Sequence, residues 1–272
     1  MSAARYNRGV PTQLFDLVSI WHGALLFVAG IACGFLNVTA GGGSLITVPV
    51  LLFLGLPGPV ANGTNRIAIV AQNVAAVVAF FRNGHAEFRL SITLTLATLP
   101  GSVLGALAGT QLEGAWFNRL VAVVMIVSLL AMATERRVPK PAAATGITPV
   151  SQLSRRRWWL GHAGMFLIGF WGGFMQIAVG LLMMPILHRV IGLSLVQTNM
   201  HKVFVILSYT VVALAIFAAR VDVAWLIGLG LAAGNFVGGW LGVKATILHG
   251  ERAIRAIFYC VAGAFIAKLL FG

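Results

Sequence analysis

From residue 17 to residue 271 the chain is a succession of apolar runs parted by short polar gaps. Several runs approach or exceed the roughly 20 apolar residues that a helix needs to cross a bilayer. Only 9% of the 272 residues are charged and 59% are hydrophobic, where a soluble domain carries roughly 25% charged residues. The expectation is an all-α, polytopic integral membrane protein: helical bundles with about 8–10 membrane segments.

The runs lie at about 17–38, 44–56, 65–82, 90–111 and 115–133, then at about 160–178, 180–192, 197–219, 223–246 and 252–271. Those at 44–56 and 180–192 are too short for a comfortable span and read as half-helices or re-entrant pieces. Between the two sets, Thr134 to Arg157 holds Arg136, Arg137, Lys140, Arg155, Arg156 and Arg157 against only Glu135. The positive-inside rule places this loop in the cytoplasm, and Trp158 and Trp159 follow it as an interfacial anchor. The chain thus divides into a first membrane repeat (1–133), a cytoplasmic basic linker (134–157) and a second membrane repeat (158–272). Arg5 and Arg8 precede a long apolar run without a convincing cleavage site, which reads as a retained first span.

The net charge of +13 does not imply nucleic acid, because the cations cluster in the polar gaps. There they set topology and meet lipid headgroups, and the aromatic-plus-basic surface of a nucleic-acid binder is missing. Cys33 and Cys260 each sit inside an apolar run and read as buried, inert thiols. No motif asks for a cofactor or a metal.

The two halves repeat each other. "GFLN" at Gly34–Asn37 matches "GFMQ" at Gly173–Gln176 at a shift of 139 residues. Pro49 matches Pro185 and Arg66 matches Lys202 at 136; Gly101, Gly105 and Gly109 match Gly234, Gly238 and Gly242 at 133, as Arg119 matches Arg252. Duplication of about five apolar segments is a transporter signature, with substrate expected near the midplane between repeats. The glycines at spacing four let helices approach closely and say nothing about substrate.

Polar groups inside a membrane are costly, so those that remain are informative. Asn62, Arg66 and Asn73 lie on one helical face, and the second half repeats the stripe as Thr198, Lys202 and Tyr209. Asn199 and His201 lie beside these, and His201 could titrate near neutral pH. One reading is a pair of cations facing an anionic substrate; the other is two cations near helix ends that snorkel to the interface. The six carboxylates, Asp16, Glu87, Glu113, Glu135, Asp222 and Glu251, all fall at or near segment edges. Carboxylate relays usually pass protons and other cations, so their absence from segment centres favours anions.

The stretch "NVTAGGGSLITVP" (Asn37–Pro49) breaks the helical pattern with Gly41, Gly42 and Gly43. A half-helix starting near Gly43–Ser44 would aim free backbone N–H groups and a positive dipole end into the protein, an anion site without further charge. Asn37 and Gln176 precede the two breaks. A tight interhelical turn is the competing reading. No HExxH, GxSxG or acid pair at helical spacing in an apolar segment supports an enzyme.

With these motifs, the chain resembles the TauE/SafE family of sulfite exporters, also described as sulfonate permeases. The resemblance rests on "GFLNVTAGGGSLITVPVLLFLGLPGPVANGTNRIA" at residues 34–68, the glycine-spaced helix around Gly101–Gly109 and a weaker second copy from Gly169. Gly41, Gly42, Gly43, Pro49, Thr64 and Asn65 match the family's motif. The second half departs from it, with "QIAVGLLMMP" in place of a glycine-rich break. The resemblance implies transport of sulfite, sulfoacetate or another organosulfonate across the bacterial inner membrane, export rather than uptake. Substrate would lie between the repeats near the glycine break, with Arg66 and Lys202 balancing its charge. An anion channel and a membrane-embedded assembly protein are the alternatives. Homo-oligomers, and inverted or parallel repeats, stay open, with a lean toward inverted repeats because they place the cluster from Lys244 to Arg255 inside.

Overall fold

Among the described residues every regular element is a helix, and the polar sequence interruptions set where each stops. The computed structural model describes residues 20–85, 87–134 and 154–249. The expectations for the N-terminal arginines, Asp16, most of the linker, Cys260, Glu251 and the run at 252–271 lie outside the described residues. Helix α1 spans Ile20–Ala40, α2 Ser44–Phe53, α3 Gly58–Arg82, α4 Phe88–Gly109 and α5 Gly114–Thr134. After the linker come α6 (Arg155–Phe174), α7 (Val179–Pro185, continued by a π-helical turn Ile186–Ile191), α8 (Leu195–Arg220) and α9 (Trp225–His249).

Helices α1, α3, α4, α8 and α9 are long and apolar enough to cross a membrane, while α2 and the α7 segment are short. Helix α3 begins at Gly58, seven residues before the apolar run at 65. Pro59 sits in its first turn, where a missing N–H is harmless. The polar stretch Asn62–Arg66 is therefore helical and buried in protein. Helix α8 starts at a capping box, Ser194 with Gln197, which satisfies two otherwise orphaned amides.

Glycine faces bring the helices together. A methyl group at Gly101, Gly105 or Gly109 of α4 would collide with the carbonyls of Phe166, Phe170 and Phe174 on α6. On the other side, Gly234 and Gly238 of α9 lie against the carbonyls of Phe27 and Ile31 on α1, and Gly242 against Phe35 and Val38. Positions related by shifts of 139 and 133 thus occupy corresponding places in the packing, at the backbone distance that small residues permit.

These pairings fix helix directions. α1 runs parallel to α9, and α9 parallel to α3, since Thr64 meets Ala224 and Gln72 meets Gly239. α6 runs parallel to α4, and α4 parallel to α8, where Ser91 meets His201 and Ala106 packs with Ala213 and Phe217. α3 and α8 run in opposite directions: Gly63 near the start of α3 faces Phe217 near the end of α8, and Phe80 packs with Met200 and Val203. Helices α1 and α6 therefore approach their breaks from opposite faces of the molecule.

Candidate functional site: two breaks and two buried cations

The breaks meet each other. Gly41 and Gly180, themselves 139 residues apart, touch backbone to backbone, with no room for a methyl group on either. Gly41 takes φ +77°, which glycine adopts without penalty, and its N–H donates to the Leu36 and Asn37 carbonyls. Gly43 has an ordinary helical φ of −58°; its reason is space, because a methyl there would strike the Cys33 carbonyl and Asn37. Ser44 opens α2, and its hydroxyl accepts from the Ala178 N–H at 3.1 Å, joining one break to the other. The second break turns without glycine: Gln176 and Ala178 both take φ +57°, a conformation that strains residues with a Cβ.

Arg66 and Lys202 are both wholly buried, which removes snorkelling. Each closes the broken end of a helix in the opposite half. The Arg66 guanidinium donates to the carbonyls of Gly172 (3.1 Å) and Gly173, to Gln176 Oε1 (3.2 Å) and to Asn62 Oδ1 (3.4 Å). Asn62 Nδ2 donates to the Phe174 carbonyl at 2.8 Å, and the Met175 N–H to that of Trp171. All four terminal carbonyls of α6, which no helix can satisfy internally, are thereby bonded. The Phe217 ring covers one face of the guanidinium, 4.4 Å from its carbon. In the other half, Lys202 Nζ donates to the Val38 carbonyl (2.7 Å), the Asn37 carbonyl (3.4 Å) and Asn199 Oδ1 (2.6 Å). Each cation lies where the negative pole of a helix dipole favours it.

Among the described residues neither cation has a carboxylate partner within ion-pair distance. Removing such a charge from water costs several kcal/mol, and carbonyl dipoles supply only part of an opposing charge. The centre is electropositive. Arg66 Nε and Tyr209 Oη are buried there without a hydrogen-bond partner. Thr47 Oγ1 on α2, both amide atoms of Asn65 on α3 and Thr198 Oγ1 on α8 are also buried and unpartnered, with no contact that joins them to the cations. The Tyr209 phenol packs on Gly172 and lies close to Arg66 and Gln176.

The candidate residues are not all gathered here. Asn37, Gly41, Gly43, Ser44, Asn62, Arg66, Gln176, Asn199, Lys202 and Tyr209 join the breaks and cations directly. Gly42 is buried between them. Asn73 donates to the Ile69 carbonyl of its own helix. Thr64 accepts the Ala224 N–H at 3.0 Å and so tethers the start of α9. His201 turns to α4, where its Nδ1 lies 2.8 Å from Ser91 Oγ. Thr64 and His201 face away from the stripe because successive residues on a helix are about 100° apart, so residues one or two positions from Arg66 and Lys202 meet different partners. Phe217 and the Gly172 and Gly173 carbonyls are contacts of Arg66 that sequence reasoning did not name. Their one sequence signal was the glycine pair directly before the second break.

A family model described as "Sulfite exporter TauE/SafE" matches residues 26–269. Among curated relatives, a "Probable membrane transporter protein ORF9" of Sinorhizobium sp is 27% identical over 248 residues, covering 91% of this chain and 92% of the relative. A "Probable membrane transporter protein" of Haemophilus influenzae is 25% identical over 249 residues, covering 91% and 94%. "Probable membrane transporter protein YfcA" of Escherichia coli K12 is 25% identical over 266 residues, covering 95% and 93%. No solved structure matches the chain.

Proposed function

We infer, from the premise that this chain belongs to the sulfite exporter TauE/SafE family, that it exports a small sulfur-containing anion such as sulfite, sulfoacetate or another organosulfonate. It is a membrane transporter, as its relatives are named, and the sequence has no enzyme motif against that reading. Substrate binds where the two breaks meet, between the halves, which act as inverted repeats in a bacterial inner membrane.

The observation that carries the anion is the pair of fully buried cations, Arg66 and Lys202, without acidic partners among the described residues. Helices α1 and α6 end there with negative poles that the cations neutralise. Helices α2 and α7 begin there, but the Leu45, Ile46 and Thr47 amides that open α2 bond to the Gly42 and Gly43 carbonyls, so the charge of the two cations carries the reading. An oxyanion brings the negative charge that the two cations lack and an acceptor for the unpartnered Arg66 Nε–H.

The test is exchange of radiolabelled sulfite and sulfoacetate by purified protein in liposomes, with protein-free liposomes as control. Saturable exchange that the unlabelled anion competes supports the proposal. Non-saturating, uncoupled flux would make the protein a channel, and no flux of either anion would sink the transport of sulfur anions.

A further inference from the structure

Glu87, Ser91 and His201 form a second polar cluster, which the anion site does not use. Glu87 stands at the start of α4, yet its side chain does not cap that helix. Its carboxylate Oε2 lies 3.5 Å from His201 Nε2; the Glu87 side chain is 31% exposed and that of His201 0%. Glu87 and Ser91 border a small recess of about 20 Å³, room for about one water, lined by Phe80, Phe88, Met200, Phe204 and His85; His201 lies behind them.

The hydrogen bonds decide where the proton is. The Ser91 hydroxyl donates its only proton to the Glu87 backbone carbonyl at 3.2 Å. Its oxygen therefore accepts from His201, and Nδ1 carries the hydrogen at 2.8 Å. In a neutral imidazole the bare Nε2 lone pair then faces a carboxylate oxygen, an arrangement that repels unless one proton lies between them. We propose that Glu87 and His201 share one exchangeable proton and that this pair couples anion transport to protons. The proposal rests on the transport reading above.

The step is a simple transfer. A proton reaches Glu87 from water in the recess; the carboxyl O–H bond breaks as the Nε2–H bond forms, leaving carboxylate and imidazolium. No co-reactant is needed. The elements around α8 bring other titratable or charged groups, but most are engaged elsewhere: Arg66 on the end of α6, His162 on the Trp158 carbonyl and His188 on the Leu193 carbonyl. Lys202, next in sequence, is turned to the end of α1. Glu87 and His85 are the groups that share the recess. A proton on His201 adds positive charge one residue from Lys202, so it changes the charge beside the anion site.

The experiment uses the full chain in liposomes with labelled sulfoacetate, whose charge is constant across the pH range used, and sulfite in a parallel arm. Exchange is measured first at equal pH on both sides, then accumulation under a gradient of one pH unit. With the membrane potential held at zero by valinomycin and equal potassium on both sides, one proton per anion gives about tenfold accumulation per unit. Glu87→Gln keeps exchange at equal pH and loses accumulation, while Glu87→Asp, which keeps the carboxylate, retains it. Wild-type exchange without gradient-driven accumulation, or undiminished accumulation in Glu87→Gln, overturns the coupling. Wild-type protein that exchanges neither anion overturns the transport reading and the coupling with it.

Discussion

Gly41 and Gly180 meet backbone to backbone at the centre of the molecule, one from each half. Only residues without a Cβ permit this approach, and Gly41 also holds a left-handed φ. Gly41→Ala is therefore expected to lower stability by about 2–4 kcal/mol, combining overpacking with backbone strain. Gly180→Ala meets the packing term alone and is expected to cost about 1–3 kcal/mol. Thermal unfolding in detergent should rank the two in that order; equal losses would show that the φ of Gly41 is unimportant.

Arg66 presents a planar fork to four acceptors, which a lysine cannot reproduce. Arg66→Lys is expected to reduce sulfite or sulfoacetate flux at least tenfold per folded molecule, and Arg66→Ala more. Lys202→Ala is expected to do the same, because it leaves the Val38 carbonyl bare in a buried site. Flux is normalised to monodisperse protein on size exclusion. Wild-type flux in both alanine variants would remove the cation pair from the transport mechanism.

Ala178 sits at φ +57° with a Cβ. Ala178→Gly relieves a left-handed strain of about 1–2 kcal/mol against an unfolded-state entropy cost of about 0.5–1 kcal/mol. The expected result is a slightly higher midpoint in detergent unfolding. A lower midpoint would mean that the methyl group contributes more by packing than its conformation costs.

Thr64 belongs to the family's motif yet bonds the Ala224 amide instead of the breaks. Thr64→Val is expected to cost about 1–3 kcal/mol in stability by orphaning that amide, whereas Thr64→Ser retains it. Flux per folded molecule should change little in Thr64→Ser. A serine variant that is fully stable but transport-dead would return Thr64 to the substrate site.

Membrane helices were readable because apolar length alone determines them, and the short segments at 44–56 and 180–192 showed as α2 and α7 for the same reason. Arg66 and Lys202 were readable as a pair because a charge inside an apolar run stands out. Their partners were not, because backbone carbonyls leave no mark on the residue alphabet: nothing in the letters for Gly172, Gly173 or Val38 says that a cation rests there. His201 looked like a neighbour of Lys202, and only the helical rotation between adjacent residues sends it to Ser91. The second break was legible as a short segment after Gln176, but not its turn, since Gln176 and Ala178 take a conformation that sequence reasoning assigns to glycine.

The crosswise capping also has a temporal side. Lys202 is made after α1, so its carbonyl acceptors at Asn37 and Val38 already exist when it reaches the bilayer. Arg66 is made more than a hundred residues before Gly172 and Gly173. During biosynthesis its charge must wait in the insertion machinery, at the headgroup level or in a water-filled defect until α6 arrives. The first half is therefore an unfinished object on its own, and assembly of the protein has an order written into the distance between a cation and the helix end that receives it.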